Sequence, residues 1–141
     1  MIAPNNKKKI TSGLCLFLST VLLSSCHPVI GLEVTNNTGE EITVVSDNLD
    51  GHEATCLLAN GQTSGVKVAA RMRVKHGHGV WDYDFTPPPA LNLMKKLRMN
   101  VYVERVQIEK GGTIYLLGPD LRGGPGAELP AQPAGYPIQP K

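Results

Sequence analysis

The chain reads as an all-β protein, a small antiparallel sandwich or barrel of about seven strands. Three observations predict this class. Runs rich in Val, Ile, Tyr and Thr recur between residues 30 and 117. Turn residues separate them at intervals of about 8–12 residues, the spacing of short antiparallel strands. Only residues 91–97 have an apolar spacing suited to a helix, and that helix is short. A purely parallel sheet would need helical crossovers that the chain lacks.

The elements follow in order. Residues 30–35 are β-rich and run into Asn36-Asn37-Thr38-Gly39, a turn cluster, after which residues 41–45 resume strand character. The two runs are expected to pair as a hairpin. Asn48-Leu49-Asp50-Gly51 is the next turn, followed by residues 54–59. Asn60-Gly61 is the strongest two-residue hairpin signal, because both residues tolerate positive φ. Residues 66–74 form one expected strand with Val66, Val68 and Ala70 on one face, loosened by His76-Gly77-His78-Gly79. In residues 80–85, Trp81, Tyr83 and Phe85 alternate with Asp82 and Asp84, an aromatic core stripe opposite a solvated face.

Pro87-Pro88-Pro89 ends that run, since proline donates no ladder hydrogen bond. Residues 91–97 then fit a short helix or an extended segment. Residues 100–109 are extended, but Val101 and Val103 share one parity while Val106 and Ile108 share the other. A bulge near Glu104-Arg105 would reconcile them. Lys110-Gly111-Gly112 is a hairpin turn into residues 113–117. From residue 119 onward Pro and Gly dominate and no apolar period survives. That tail is expected to be extended or disordered and dispensable for stability. Its Tyr136-Pro137-Ile138-Gln139-Pro140 segment suits a partner's groove.

The N-terminus carries a different message. Residues 1–9 are polar and include Lys7, Lys8 and Lys9, and residues 10–23 are mostly apolar. A positive start, a short apolar run and small residues at its end make a secretory leader, shorter than the about 20 residues a membrane helix needs. The run closes on Leu23-Ser24-Ser25-Cys26, which resembles the lipobox of bacterial lipoproteins. The resemblance covers residues 1–26. It implies that Cys26 accepts a diacylglycerol on sulfur, that the bond before it is cut, and that Cys26 becomes the new N-terminus. It also implies a palmitate-type anchor in the cell envelope. An Asp at position 27 would favour the inner membrane in that family. His27 points instead to the outer membrane, facing the periplasm. The expected organisation is a leader over 1–25, a β domain over 26–118 and a tail over 119–141.

Charge follows from the same division. The chain holds 14 basic and 12 acidic residues, and losing Lys7, Lys8 and Lys9 leaves eleven against twelve. The basicity belongs to export, so no nucleic-acid partner is implied. Cys15 leaves with the leader and Cys26 is taken by lipid, which leaves Cys56 alone with no intramolecular disulfide to form. In its short apolar run Cys56 reads as a buried thiol.

No motif names a reaction. His76 and His78 are weak candidate metal ligands, because two imidazoles two residues apart lack the further ligands a site needs. Asp82 and Asp84 could pair as glycosidase carboxylates but suit a solvated face better. Trp81, Tyr83 and Phe85 could stack a sugar but suit a core. Lys67, Arg71, Arg73 and Lys75 form an alternating basic row. No Gly-rich phosphate loop, nucleophile elbow or Cys-x-x-Cys appears. The expectation is a non-enzymatic envelope lipoprotein with no cofactor, held to the membrane through Cys26 and serving an envelope protein partner. A ligand- or metal-binding lipoprotein is the alternative, and an enzyme acting on envelope glycans is the second.

Overall fold

The structure, a computed structural model, describes residues 29–47, 51–66, 71–85 and 90–141. Cys26, the leader, Lys67 and Pro87-Pro88-Pro89 lie outside the described residues. Nine strands form two sheets: β1 (Val29–Asn37), β2 (Ile42–Asp47), β3 (Glu53–Leu58), β4 (Thr63–Val66), β5 (Arg71–His76), β6 (Gly79–Asp84), β7 (Lys95–Arg98), β8 (Val101–Glu109) and β9 (Ile114–Leu116). The first sheet has the order β4-β1-β8, with β7 and β9 sharing the far edge of β8. The second has the order β3-β2-β5-β6. The expected all-β sandwich is what forms; it is not a closed barrel.

Alternation decides which side chains meet between the sheets. Leu32 and Val34 of β1, Val106 and Ile108 of β8, Ile42 and Val44 of β2, Met72 and Val74 of β5, and Tyr83 of β6 are all buried in one cluster. Trp81 and Phe85 flank it partly buried, so the aromatic stripe of β6 faces inward as expected. Cys56 is packed against the cluster but only half-buried.

Several expectations are corrected. The sandwich is antiparallel except at its centre, where β1 and β8 run parallel in unbroken register from Val29↔Val101 to Asn37↔Glu109. A parallel pair needs a long crossover, and here the whole second sheet supplies it. The turn at 38–41 is not a hairpin, because β1 and β2 lie in different sheets. The same holds for Asn60-Gly61 between β3 and β4. Both turns are corners, and turn chemistry alone cannot tell a corner from a hairpin. The expected strand over 66–74 is two strands, β4 and β5, again in different sheets. No bulge interrupts β8 against β1; the register shift lies in β7, between Lys96 and Arg98. The parity change in β8 sets Val101 and Val103 on the outer face against Glu104, Val106 and Ile108, which are buried on the inward one. Residues 91–97 give a 3₁₀ turn at Leu91–Leu93 and then β7, with no α-helix among the described residues.

The largest correction concerns the tail. It is extended, but it is sewn to the domain along its length. The Arg105 guanidinium donates to the carbonyls of Pro119 and Leu121. Gly124 N–H donates to Gln107 Oε1 at 2.6 Å. The Gln132 side chain caps both backbone groups of Leu116 at 2.8 and 3.1 Å. Ile138 exchanges two backbone bonds with Ile114, both 2.9 Å, and Lys141 N–H reaches Asp82 O at 3.0 Å. Residues 136–141 therefore lace β9 of one sheet to β6 of the other. Tyr136 is buried in the core cluster, 9% exposed. The segment read as a ligand for a partner is a ligand for its own domain. Proline-rich composition forbids a ladder, but single bonds and one inserted tyrosine suffice.

Cutting the chain after Gly118 should therefore cost stability. Loss of the Tyr136 ring alone removes on the order of 3 kcal/mol from a domain holding roughly 5–15 kcal/mol in all. Thermal unfolding of the truncated chain should show a midpoint many degrees lower, and an unchanged midpoint would contradict this packing.

Candidate functional site

The ends of the sandwich differ. Strand direction places Val29 and the β7–β8 turn at one end, and the 38–41, 59–62, 77–78 and 110–113 turns at the other. At that far end Thr38, Gly39, Glu40, His76, His78, Trp81, Lys110 and Gly111 line an open recess of about 440 Å³.

Each wall has a local cause. His76 closes β5 and pairs with Gly79 across the two-residue Gly77-His78 turn. Its parity turns the imidazole inward, where it stacks on the Trp81 indole with centroids 3.9 Å apart and planes at 20°. His76 Nδ1 lies 3.4 Å from Glu40 Oε1 and also accepts from His78 N–H at 3.3 Å. The second contact requires a lone pair on that nitrogen. Glu40 Oε2 also accepts from Gly77 N–H at 3.3 Å. Trp81 is pressed from below by Gly112, where a Cβ would come within 2.7 Å of the indole.

Glu40 stands on the 38–41 corner, and a buried amide builds that corner. Asn36 Nδ2 donates to Glu40 O at 2.7 Å and Leu58 O at 2.9 Å. Its Oδ1 accepts from Thr38 N–H at 3.0 Å and from the Thr38 hydroxyl at 2.8 Å. The Thr38 hydroxyl is thus committed to holding the turn. The recess offers a carboxylate, two imidazoles, an ammonium and an indole edge, a set suited to holding a polar ligand.

His76 and His78 lie beside each other in the recess. Their ring centroids are 6.3 Å apart in a T-shape, and His52 sits before β3 at the opposite end. Among the described residues no three His, Cys, Asp or Glu side chains converge on a point. Asp82 and Asp84 do share the outer face of β6, but as ion-pair partners. Arg73 Nε donates to Asp82 at 3.1 Å, while Asp84 lies near Arg71 and is met by the Lys141 ammonium. The Lys141 hydrogen bond lowers the Asp84 pKa below the ordinary carboxylate range. The basic row of β5 is therefore interleaved with acids, and with Glu53 3.9 Å from Arg73.

Sequence reading missed a second polar centre, in the core. Glu104 is 6% exposed and sits on the inward parity of β8, where the Tyr136 hydroxyl donates to it. Burial raises the Glu104 pKa and the Tyr136 bond partly opposes that rise. Burial, then the Glu104 charge and the shared bond, push the Tyr136 phenol far up. The signal was present: Glu104 interrupts the Tyr102, Val106, Ile108 parity. Its partner was invisible because it lies 32 residues away in a tail without period.

Compared with protein-family models, curated proteins and solved structures, the chain matches none.

Two outcomes test this geometry. Trp81 is the only tryptophan, so its emission reports the stack: His76→Ala should expose the indole and shift emission to the red. An unchanged maximum would mean that the imidazole does not cover it. The buried carboxyl gives a pH dependence. A folded pKa raised above the unfolded one means that the folded state binds more protons, so Glu104 lowers stability as pH rises past the ordinary glutamate range and through its raised folded pKa. Glu104→Gln keeps an acceptor for Tyr136 and removes the charge. It should be more stable than the parent at neutral pH, by about 1 kcal/mol or more, with the gap narrowing as pH falls through the raised folded pKa and closed once pH is below the ordinary glutamate range. A gap that widened on acidification would reverse the assignment.

Proposed function

We propose that the protein is a lipid-anchored component of a bacterial cell envelope whose β sandwich serves a non-enzymatic binding or structural role. The observation that carries this reading is Leu23-Ser24-Ser25-Cys26 at the end of a leader opened by Lys7, Lys8 and Lys9. A thiol is the strongest nucleophile available to accept a lipid, and small residues before it fit a peptidase cleft. A diacylglycerol brings two chains, and at about 0.8 kcal/mol per buried CH₂ two chains hold where one binds only marginally. The outer membrane, periplasmic side, is the proposed location, with another envelope protein as partner. The start of β1 at Val29 supports a domain held close to its membrane, three residues after Cys26.

A polar small ligand at the far-end recess is the second reading, favoured by the grouping of Glu40, His76, Trp81 and Lys110 around open space. That recess faces away from the end where the anchor attaches, which leaves it accessible from the periplasm under the first reading.

Cells fed labelled palmitate should yield labelled parent protein and an unlabelled, unprocessed Cys26→Ser variant. Label retained on Cys26→Ser would remove the anchor reading.

A further inference from the structure

The end that carries Val29 has a surface unlike the rest. β7 is exposed throughout: Lys95, Lys96, Leu97 and Arg98 all face solvent. Leu97 is 57% exposed and Met99, at the tip of the β7–β8 turn, is 85% exposed. Asn100 takes a φ of 59° to close that turn, which leaves the methionine standing at its apex. Beside it, Leu97, Gly31, Val103, Gly65 and Glu33 line a shallow groove of about 320 Å³ on the outer face of the first sheet, closed at its edge by the core residues Leu32 and Val66.

Among the described residues that groove is left uncovered for a specific reason. The tail covers the other half of the same outer face, where Arg105 and Gln107 bind Leu121 O and Gly124 N–H. The cover stops short of Val103. An outer face left to water is ordinarily polar, yet here Val101, Val103 and Leu97 occupy it. Apolar patches rimmed by charge on a soluble surface mark contact with a partner or a membrane. The rim is of one sign: none of Lys95, Lys96 and Arg98 has an acidic partner within ion-pair distance among the described residues. Glu33, the nearest acid in the groove lining, is taken by Arg105 at 2.7 Å.

Position identifies the occupant. Val29 pairs with Val101, and Arg98 pairs with Val101 from the other side. Cys26 is three residues before Val29, at most about 11 Å of extended chain. If Cys26 carries lipid, the tip cannot move far from the headgroups. An anionic surface within that reach attracts each Lys or Arg by a factor of about five in occupancy, and the flexible Met99 thioether suits insertion among acyl chains.

We propose that the β7–β8 tip and the bare half of the outer face beside it form a second membrane contact, with Met99 and Leu97 entering the lipid boundary and Lys95, Lys96 and Arg98 meeting anionic phospholipid headgroups; this rests on the lipid-anchor reading for its orientation. The domain then lies against its membrane by one sheet instead of swinging on a tether, and the far-end recess is held outward.

The test places a fluorophore at the tip. The full chain, purified from membranes, carries Met99→Cys in a Cys56→Ser background, with Lys110→Cys as the far-end comparison. The Cys56→Ser chain without an added cysteine is the blank. Each is reconstituted into vesicles of phosphatidylethanolamine and phosphatidylglycerol containing nitroxide-labelled acyl chains. Quenching several-fold stronger at position 99 than at 110 is the expected result. It should be lost on Lys95→Glu, Lys96→Glu and Arg98→Glu together, with the thermal midpoint unchanged because all three side chains are exposed. Equal, weak quenching at both positions overturns the proposal, whatever the palmitate result. Equal quenching at 99 in phosphatidylcholine vesicles overturns its electrostatic half. Protection of position 99 only in native membranes, and never in protein-free vesicles, assigns the surface to a protein and also overturns it. Palmitate on Cys26 is scored separately, so a failed anchor and a failed tip contact are told apart.

Discussion

The sandwich depends on one buried amide. Asn36 is fully inaccessible to solvent, and its side chain has two donors and two acceptor lone pairs, all four of them used. Its backbone is used too: Asn36 N–H donates to Gln62 O at 2.9 Å, and Gly61 N–H donates to Asn36 O at 2.6 Å. One residue therefore ties the β1–β2 corner to the β3–β4 corner, two of the places where the chain changes sheets. A second strap, Gly39 N–H to Asn60 Oδ1 at 2.9 Å, runs between the same turns. An aliphatic side chain there would take the donor from Leu58 O and the acceptor from Thr38 N–H in a dry interior, each loss worth about 1–3 kcal/mol.

From that corner the parallel β1–β8 pair follows. β1 enters, β2, β3, β5 and β6 build the facing sheet, and β8 returns beside β1 in the same direction. Where the tail crosses it, the pair is then buried on both faces, which explains its polar content there. On the outer side Glu33 pairs with Arg105, and Asn37 donates to Glu109. Thr35 and Gln107 face Gly123 so closely that a Cβ on that glycine would fall 2.7 Å from each. The tail can cover this side only because its residue 123 lacks a side chain. Composition that looked like disorder is, at this position, close packing.

Much of the strand inventory was legible because alternation is local, though not the break between β4 and β5. Trp81, Tyr83 and Phe85 announced their inward face, and Lys110-Gly111-Gly112 announced a hairpin that forms between β8 and β9. Sheet membership was not legible, since Asn60-Gly61 serves a corner as well as a hairpin and the choice is made by Asn36, far away in sequence. The tail was misread for the same kind of reason. Tyr136 and Ile138 carry no period, so nothing local distinguishes a docked extended segment from a free one. Of the far-end recess, His76 and His78 were legible, but Glu40 and Lys110 reach it only through the corner and the hairpin that bring three loops together.

The two ends of the molecule thus have opposite characters, and one strand direction sets both. Parallel β1 and β8 begin together at the end that follows Cys26 and finish together at the end that bears the recess. The short turns that gather at the far end each add a polar group there: Glu40, His78 and Lys110. At the near end β7 adds cations and unshielded apolar side chains, and no tail crosses them. An antiparallel central pair would have mixed these ends, bringing the β8–β9 turn with Lys110 beside Val29 and the β7 tip beside His76. Segregation of a lipid-compatible end from a ligand-compatible end is therefore a consequence of the one parallel pairing in the fold.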